Sequence, residues 1–161
     1  MCSDPRFSDY AEAVHIDYDP SVISYERVVD AFFHLHDATA GGKSRQYASI
    51  IFTHGEEQMQ IAQNALAQQR RAVTTVEAAT PFWDAEAYHQ KWLLQRKRPL
   101  FLALGLEDAD ELLGKPATVL NAVAAAKLPV DLAMQRLDAL LASGEISLAA
   151  HSTVTMELMG A

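Results

Sequence analysis

A chain of 161 residues, 50% apolar and 21% charged, is the right size for one globular domain with a real hydrophobic core. Its net charge of -8 excludes a surface built to wrap nucleic acid, which needs clustered Lys and Arg for phosphate contacts, and no apolar run approaches the ~20 residues of a membrane helix. The single cysteine, Cys2, excludes an internal disulfide or a thiolate metal cluster made by this chain alone; with no apolar h-region behind Met1-Cys2-Ser3-Asp4-Pro5-Arg6, the sequence reads as soluble and cytoplasmic.

Along the chain, Glu12 to Tyr18 alternates Ala13, His15 and Asp17 with Val14, Ile16 and Tyr18, and this period of two predicts a half-buried strand. Asp19-Pro20 ends it, because proline cannot donate to a ladder. Ser24 is placed to cap a helix, with Glu26 in the first turn and Val28, Val29, Phe32, Phe33 and Leu35 as its apolar stripe. After a loop from Asp37 to Arg45 that contains Gly41-Gly42, the β-forming run Tyr47 to Thr53 predicts a second strand. A polar helix is expected from about Gly55 to Ala72, with Glu56 and Glu57 near its start and Arg70 and Arg71 near its end, the order that complements the helix dipole. Val73 to Glu77 reads as a third strand. The alternation of strands and helices favours helices layered on a sheet. Beyond Pro81 the pattern turns helical: Ala85 to Gln95, Leu106–Leu113, Ala117–Ala126 and Val130–Ala142. Gly105, Gly114-Lys115-Pro116, Pro129 and Gly144 punctuate the last three. Arg96-Lys97-Arg98 reads as a solvated helix end.

Few residues in this pattern suggest chemistry by themselves. His34 and His36 are two apart, whereas helical metal ligands share a face at spacings of three or four. A polar helix end is therefore expected there, with His36 bonding a nearby carbonyl, and no metal. The dense aromatic run Phe82-Trp83, Tyr88-His89 and Trp92 fits either core or the wall of an apolar pocket. Glu12, between the small residues Ala11 and Ala13, is unremarkable in isolation.

Taken together, several runs are specific. Ala11-Glu12-Ala13-Val14-His15-Ile16-Asp17-Tyr18-Asp19-Pro20 followed by Ile23-Ser24-Tyr25-Glu26, then Phe32-Phe33-His34-Leu35-His36-Asp37, then Gln46-Tyr47-Ala48-Ser49-Ile50-Ile51-Phe52, and finally Phe82-Trp83-Asp84-Ala85-Glu86-Ala87-Tyr88-His89-Gln90 occur in order over roughly residues 2 to 97. They resemble the GHAEAV, DP, ISYE, FFxxHDP, QYRSAIF and FYxAEDYHQ motifs of the A-type peptide methionine sulfoxide reductases. The resemblance implies an α+β fold, a two-layer ferredoxin-like domain of sheet and helices. It would occupy residues 1–104, truncated at its N-terminus, with a helical C-terminal extension over 105–161.

The implied activity is thiol-dependent reduction of peptide methionine-S-sulfoxide to methionine. No bound cofactor is implied; the reductant is an external thiol of the thioredoxin type. Glu12 and Tyr47 match the family's glutamate and tyrosine that contact the sulfoxide oxygen, the glutamate as a partly buried proton donor. Phe82, Tyr88 and His89 are the expected substrate-pocket residues. The family's nucleophilic cysteine lies in a GCFWG segment, which this sequence does not contain. Cys2-Ser3 resembles a different family position, upstream of GHAEAV, and is not expected to supply the nucleophile. Gly-His before AEAV is Asp9-Tyr10 here, and the family's aspartate ahead of QY falls near Gly42. The chain is therefore expected to be weak or inactive as a reductase. A non-catalytic module that binds methionine sulfoxide or peptide, or one that needs a partner chain or a second copy, remains the alternative.

Overall fold

The structure is a computed structural model in which residues 10–42, 44–106 and 110–160 are described. It divides into two compact units, one running to Trp83 and the other from Asp84 onward. This division of packing falls earlier than the boundary of resemblance at residues 104 and 105. No helix among the described residues is long and apolar enough to cross a membrane.

In the first unit, α1 (Tyr25–Leu35) begins at Ser24, whose hydroxyl accepts the Arg27 N–H. That bond satisfies one of the unpaired donors of the first turn. A short 3₁₀ turn, Arg45–Tyr47, leads into β1 (Ile50–Thr53). Helix α2 (Glu56–Ala67) carries Glu56 and Glu57 in its first turn and crosses to β2 (Thr75–Ala78). The two strands pair in parallel, with Ile50 opposite Thr75 and Thr53 opposite Ala78. A parallel pair needs such a crossover, since a hairpin can join only antiparallel strands. Val29, Ile51 and Ala62 form the buried centre, and Tyr25, Phe32, Phe33, Ala65 and Val76 pack against it. The combination of helices and a small parallel sheet agrees with the α+β class.

Residues 12–18 do not form the expected strand. Alternation makes a strand only where a neighbour completes the ladder and one face is covered. Here Val14 is 85% exposed and Ile16 is exposed as well, so the alternation marks no buried face. The Glu12 N–H instead bonds the carbonyl of Gln46 in the 3₁₀ turn. Leu35, expected in the α1 stripe, is exposed in the last turn. Helix α2 stops at Ala67, short of Arg70 and Arg71, and Arg71 lies in the left-handed region at φ 65°.

The second unit is helical: α3 (Trp92–Arg96), α4 (Arg98–Ala103), α5 (Lys115–Ala124), α6 (Val130–Ala142) and α7 (Leu148–Gly160). The helix expected from Ala85 begins only at Trp92, because Lys91 turns into the left-handed region at φ 47°. Residues before it are held as turns by the Gln95 amide, which donates to the carbonyls of Ala87 and Gln90. Of the expected helix Leu106–Leu113, Asp110–Leu113 is a 3₁₀ turn and 107–109 lie outside the described residues. Leu94, Leu120, Leu137 and Val154 are fully buried at the centre of this unit. Each contributes on the order of 1.5–3 kcal/mol of burial.

Candidate functional site

Glu12 is tied to Gln46, the residue directly before Tyr47. The backbone N–H of Glu12 donates to the Gln46 carbonyl at 2.9 Å, and the Gln46 side-chain amide donates to Glu12 Oε1 at 2.8 Å. Two bonds between the same residues fix both the position and the direction of the Glu12 segment, and Tyr47 is next in the chain. The carboxyl of Glu12 is exposed, not partly buried as the resemblance implied, because the sheet does not extend over residues 12–18 to cover it. Tyr47 is 61% exposed, so its phenol, a donor and an acceptor, is open to a ligand.

The turn that carries Gln46 and Tyr47 is tightly made. The Tyr47 N–H donates to the Ser44 carbonyl and the Ala48 N–H to that of Arg45. Gly42 lies so close to the Tyr47 carbonyl that a side-chain carbon there would overlap it. Gly42 is thus required by backbone contact, and no side chain can stand at this position without moving the turn. Arg45 grips Glu77 of β2 through its two terminal guanidinium nitrogens, at 3.2 and 2.6 Å. This charge-assisted pair, followed by a hydrogen bond from Thr75, holds the Glu77 carboxyl below its usual range despite the opposing effect of burial.

Phe82 also belongs to the first unit. Its ring meets His15 edge-on at 5.2 Å, and His15 in turn stacks with His54 at 6.0 Å. Tyr88 and His89 belong to the second unit, where their rings lie 4.2 Å apart. The expected pocket residues are therefore divided between the two units. Cys2 lies outside the described residues, and the rest of the sequence contains no other cysteine. Among the described residues no group of three or more His, Cys, Asp or Glu is arranged to hold a metal ion. His36 bonds the Phe32 carbonyl through Nδ1 at 2.7 Å, as a polar helix end should.

Three residues here, Gln46, Arg45 and Glu77, have pairings that the sequence does not signal. Gln46 was visible only as the neighbour of Tyr47, and its bonds reach back to a residue far along the chain. The pairing of Arg45 with Glu77 is equally non-local, and local periodicity carries no signal of it.

The arrangement can present a phenol and a carboxyl to a small polar group, with an aromatic ring in the same unit. Comparison with known proteins shows the family. The sequence model of the family described as peptide methionine sulfoxide reductase matches residues 4–110. A peptide methionine sulfoxide reductase of Drosophila melanogaster is 40% identical over 123 residues, covering 72% of this chain and 50% of that protein. Peptide methionine sulfoxide reductase MsrA of Acidobacterium capsulatum is 39% identical over 108 residues, covering 60% and 68%. Peptide methionine sulfoxide reductase A5 of Oryza sativa subsp. japonica is 36% identical over 132 residues, covering 74% and 52%. The chain thus spans about half the length of the fly and rice proteins. With the match to the family covering most of its residues, the chain belongs to the peptide methionine sulfoxide reductase family.

Proposed function

We propose that the chain recognises methionine sulfoxide in peptides, the Tyr47 phenol donating to the sulfoxide oxygen with Glu12 and the ring of Phe82 alongside, and that by itself it reduces this ligand weakly or not at all. The observation that supports the reading is the paired hydrogen bond between Glu12 and Gln46, the residue directly before Tyr47. A sulfoxide oxygen is a strong acceptor, and a phenol beside it supplies a donor that the thioether of methionine cannot use.

Reduction needs more than this grip. A thiolate attacks the sulfoxide sulfur and the oxygen passes to the thiol, which leaves the thioether and a sulfenic acid; a dithiol then returns the sulfenic acid to the thiol with release of water. Cys2 is the one thiol of this sequence, and the family resemblance assigns it no nucleophilic role. Efficient turnover therefore calls for a thiol from outside these 161 residues, with a thioredoxin-type dithiol as the terminal reductant. For the fold, we extend the parallel β1–α2–β2 unit, with α1 packed on α2, to the two-layer ferredoxin-like arrangement of the family domain.

The test combines binding with turnover. The protein is titrated with a peptide carrying methionine-S-sulfoxide and then assayed on it with dithiothreitol. Binding with little or no turnover is the expected result. Rapid turnover that Cys2→Ser abolishes would overturn the assignment of Cys2, and absence of binding would overturn the reading as a whole.

A further inference from the structure

Resting on the proposed place of Glu12 and Tyr47 at the sulfoxide, we propose that Arg45 and Glu77 are positioning residues that fix the Glu12–Gln46–Tyr47 segment to the sheet. The 3₁₀ turn Arg45–Tyr47 is three residues long, and Ser44 before it provides no side-chain cap. Turns of this kind have poor internal hydrogen-bond geometry and little stability of their own. Successive residues of a 3₁₀ helix point about 120° apart. Arg45 can therefore reach one way, to Glu77 of β2, while Gln46 reaches another way, to Glu12.

Glu77 is itself well held. Thr75 donates to its carboxyl at 3.0 Å, and the buried Thr53 of β1 donates to its backbone carbonyl at 3.2 Å. A continuous path follows, from the β1–β2 ladder through Glu77 and Arg45 to Gln46 and Glu12. Because residues 12–18 form no strand, Glu12 is tied to the sheet through this turn and not through a ladder of its own. The side chains of Arg45 and Glu77 are 42% and 31% exposed, so solvent screens their attraction. Their contribution is one of direction: the two parallel N–H···O contacts set the guanidinium plane, and with it the orientation of the turn.

The test follows amide hydrogen exchange at Glu12 together with affinity for a methionine-S-sulfoxide peptide, in the parent protein, in Glu77→Gln, and in the charge-swapped double variant Arg45→Glu/Glu77→Arg. Glu77→Gln should speed exchange at the Glu12 amide about tenfold and weaken peptide binding about fivefold. The swap should return both to within about twofold of the parent, because it rebuilds an ion pair across the same gap. Exchange at Ile51 and Phe52 should stay unchanged. Unaltered exchange at Glu12 in Glu77→Gln, no recovery in the swap, or an equal rise at Ile51 and Phe52 would each overturn the proposal. If the parent fails to bind the peptide, the reading of function falls, while exchange at Glu12 still decides whether Arg45 and Glu77 position the turn.

Discussion

Ser49 donates its hydroxyl proton to His36 Nε2 across 2.9 Å. The direction follows from the other ring nitrogen. Nδ1 faces the Phe32 carbonyl at 2.7 Å, and a carbonyl can only accept. In the neutral ring the proton therefore sits on Nδ1, and Nε2 accepts. With the Ser49 proton committed, the Thr74 hydroxyl must donate to Ser49 Oγ, 2.8 Å away. The relay joins the end of α1 to the residues that enter β1 and β2, directly after the turn that bears Tyr47.

Ser49→Ala should leave the buried Thr74 hydroxyl without its acceptor. An unsatisfied buried hydroxyl costs about 1–3 kcal/mol. Urea denaturation should show a lower midpoint with an unchanged slope. An unchanged midpoint would mean that the relay contributes nothing to stability.

Gly42→Ala should destabilise the first unit and disturb the candidate site together. The added methyl meets the backbone carbonyl of Tyr47, which cannot move aside as a flexible side chain would. A loss of about 1–3 kcal/mol is expected from such overpacking, read as a lower melting temperature and weaker binding of a sulfoxide peptide. Wild-type stability in this variant would contradict the close approach.

Acid should weaken the Arg45–Glu77 pair in a defined window. The folded-state pKa of Glu77 is lowered from 4.5, chiefly by the hydrogen bond from Arg45. A depressed carboxylate contributes stability that is fully present above its unfolded pKa and lost as pH falls through the folded one. Glu77→Gln should therefore show a shallower loss of stability than the parent as pH falls below 4.5. Parallel profiles for the two proteins would show that Glu77 does not carry the effect.

In the second unit, Leu137→Ala should cost about 2–5 kcal/mol, because Leu137 is fully buried among the helices. Asn121 adds a polar tie there: its side-chain oxygen accepts the Leu94 N–H at 3.0 Å. Denaturation of Leu137→Ala followed by helical circular dichroism checks the first effect, and a change of less than about 1 kcal/mol would contradict the packing described.

Much of the fold is written locally in the sequence. Ser24 caps α1, and α6 covers the same span, Val130–Ala142, that its periodicity marks. Helix α4 was hidden by Arg98-Pro99, which reads as a breaker but suits a helix start, where proline lacks only a donor that would be unpaired anyway. Helix α7 was hidden for the opposite reason. Leu148, Met156 and Met159 face solvent while Val154 and Leu158 are buried, so it has no clean apolar stripe and no charge pattern to announce it. Residues 12–18 failed as a strand because alternation is necessary for a half-buried strand but cannot supply the partner. At the candidate site, Glu12, Tyr47 and Phe82 were proposed from family resemblance alone. Gln46, Arg45 and Glu77 were not, since their partners lie about thirty residues away and pair only after folding.

The central proposal, that Tyr47 holds a sulfoxide oxygen with Glu12 alongside, is tested most directly by the affinity of the protein and of Tyr47→Phe for one peptide containing either methionine-S-sulfoxide or methionine. The parent should prefer the sulfoxide, and Tyr47→Phe should erase about tenfold of that preference, the value of one well-made hydrogen bond. Equal affinity for the two peptides, or a preference untouched by Tyr47→Phe, would contradict the claim.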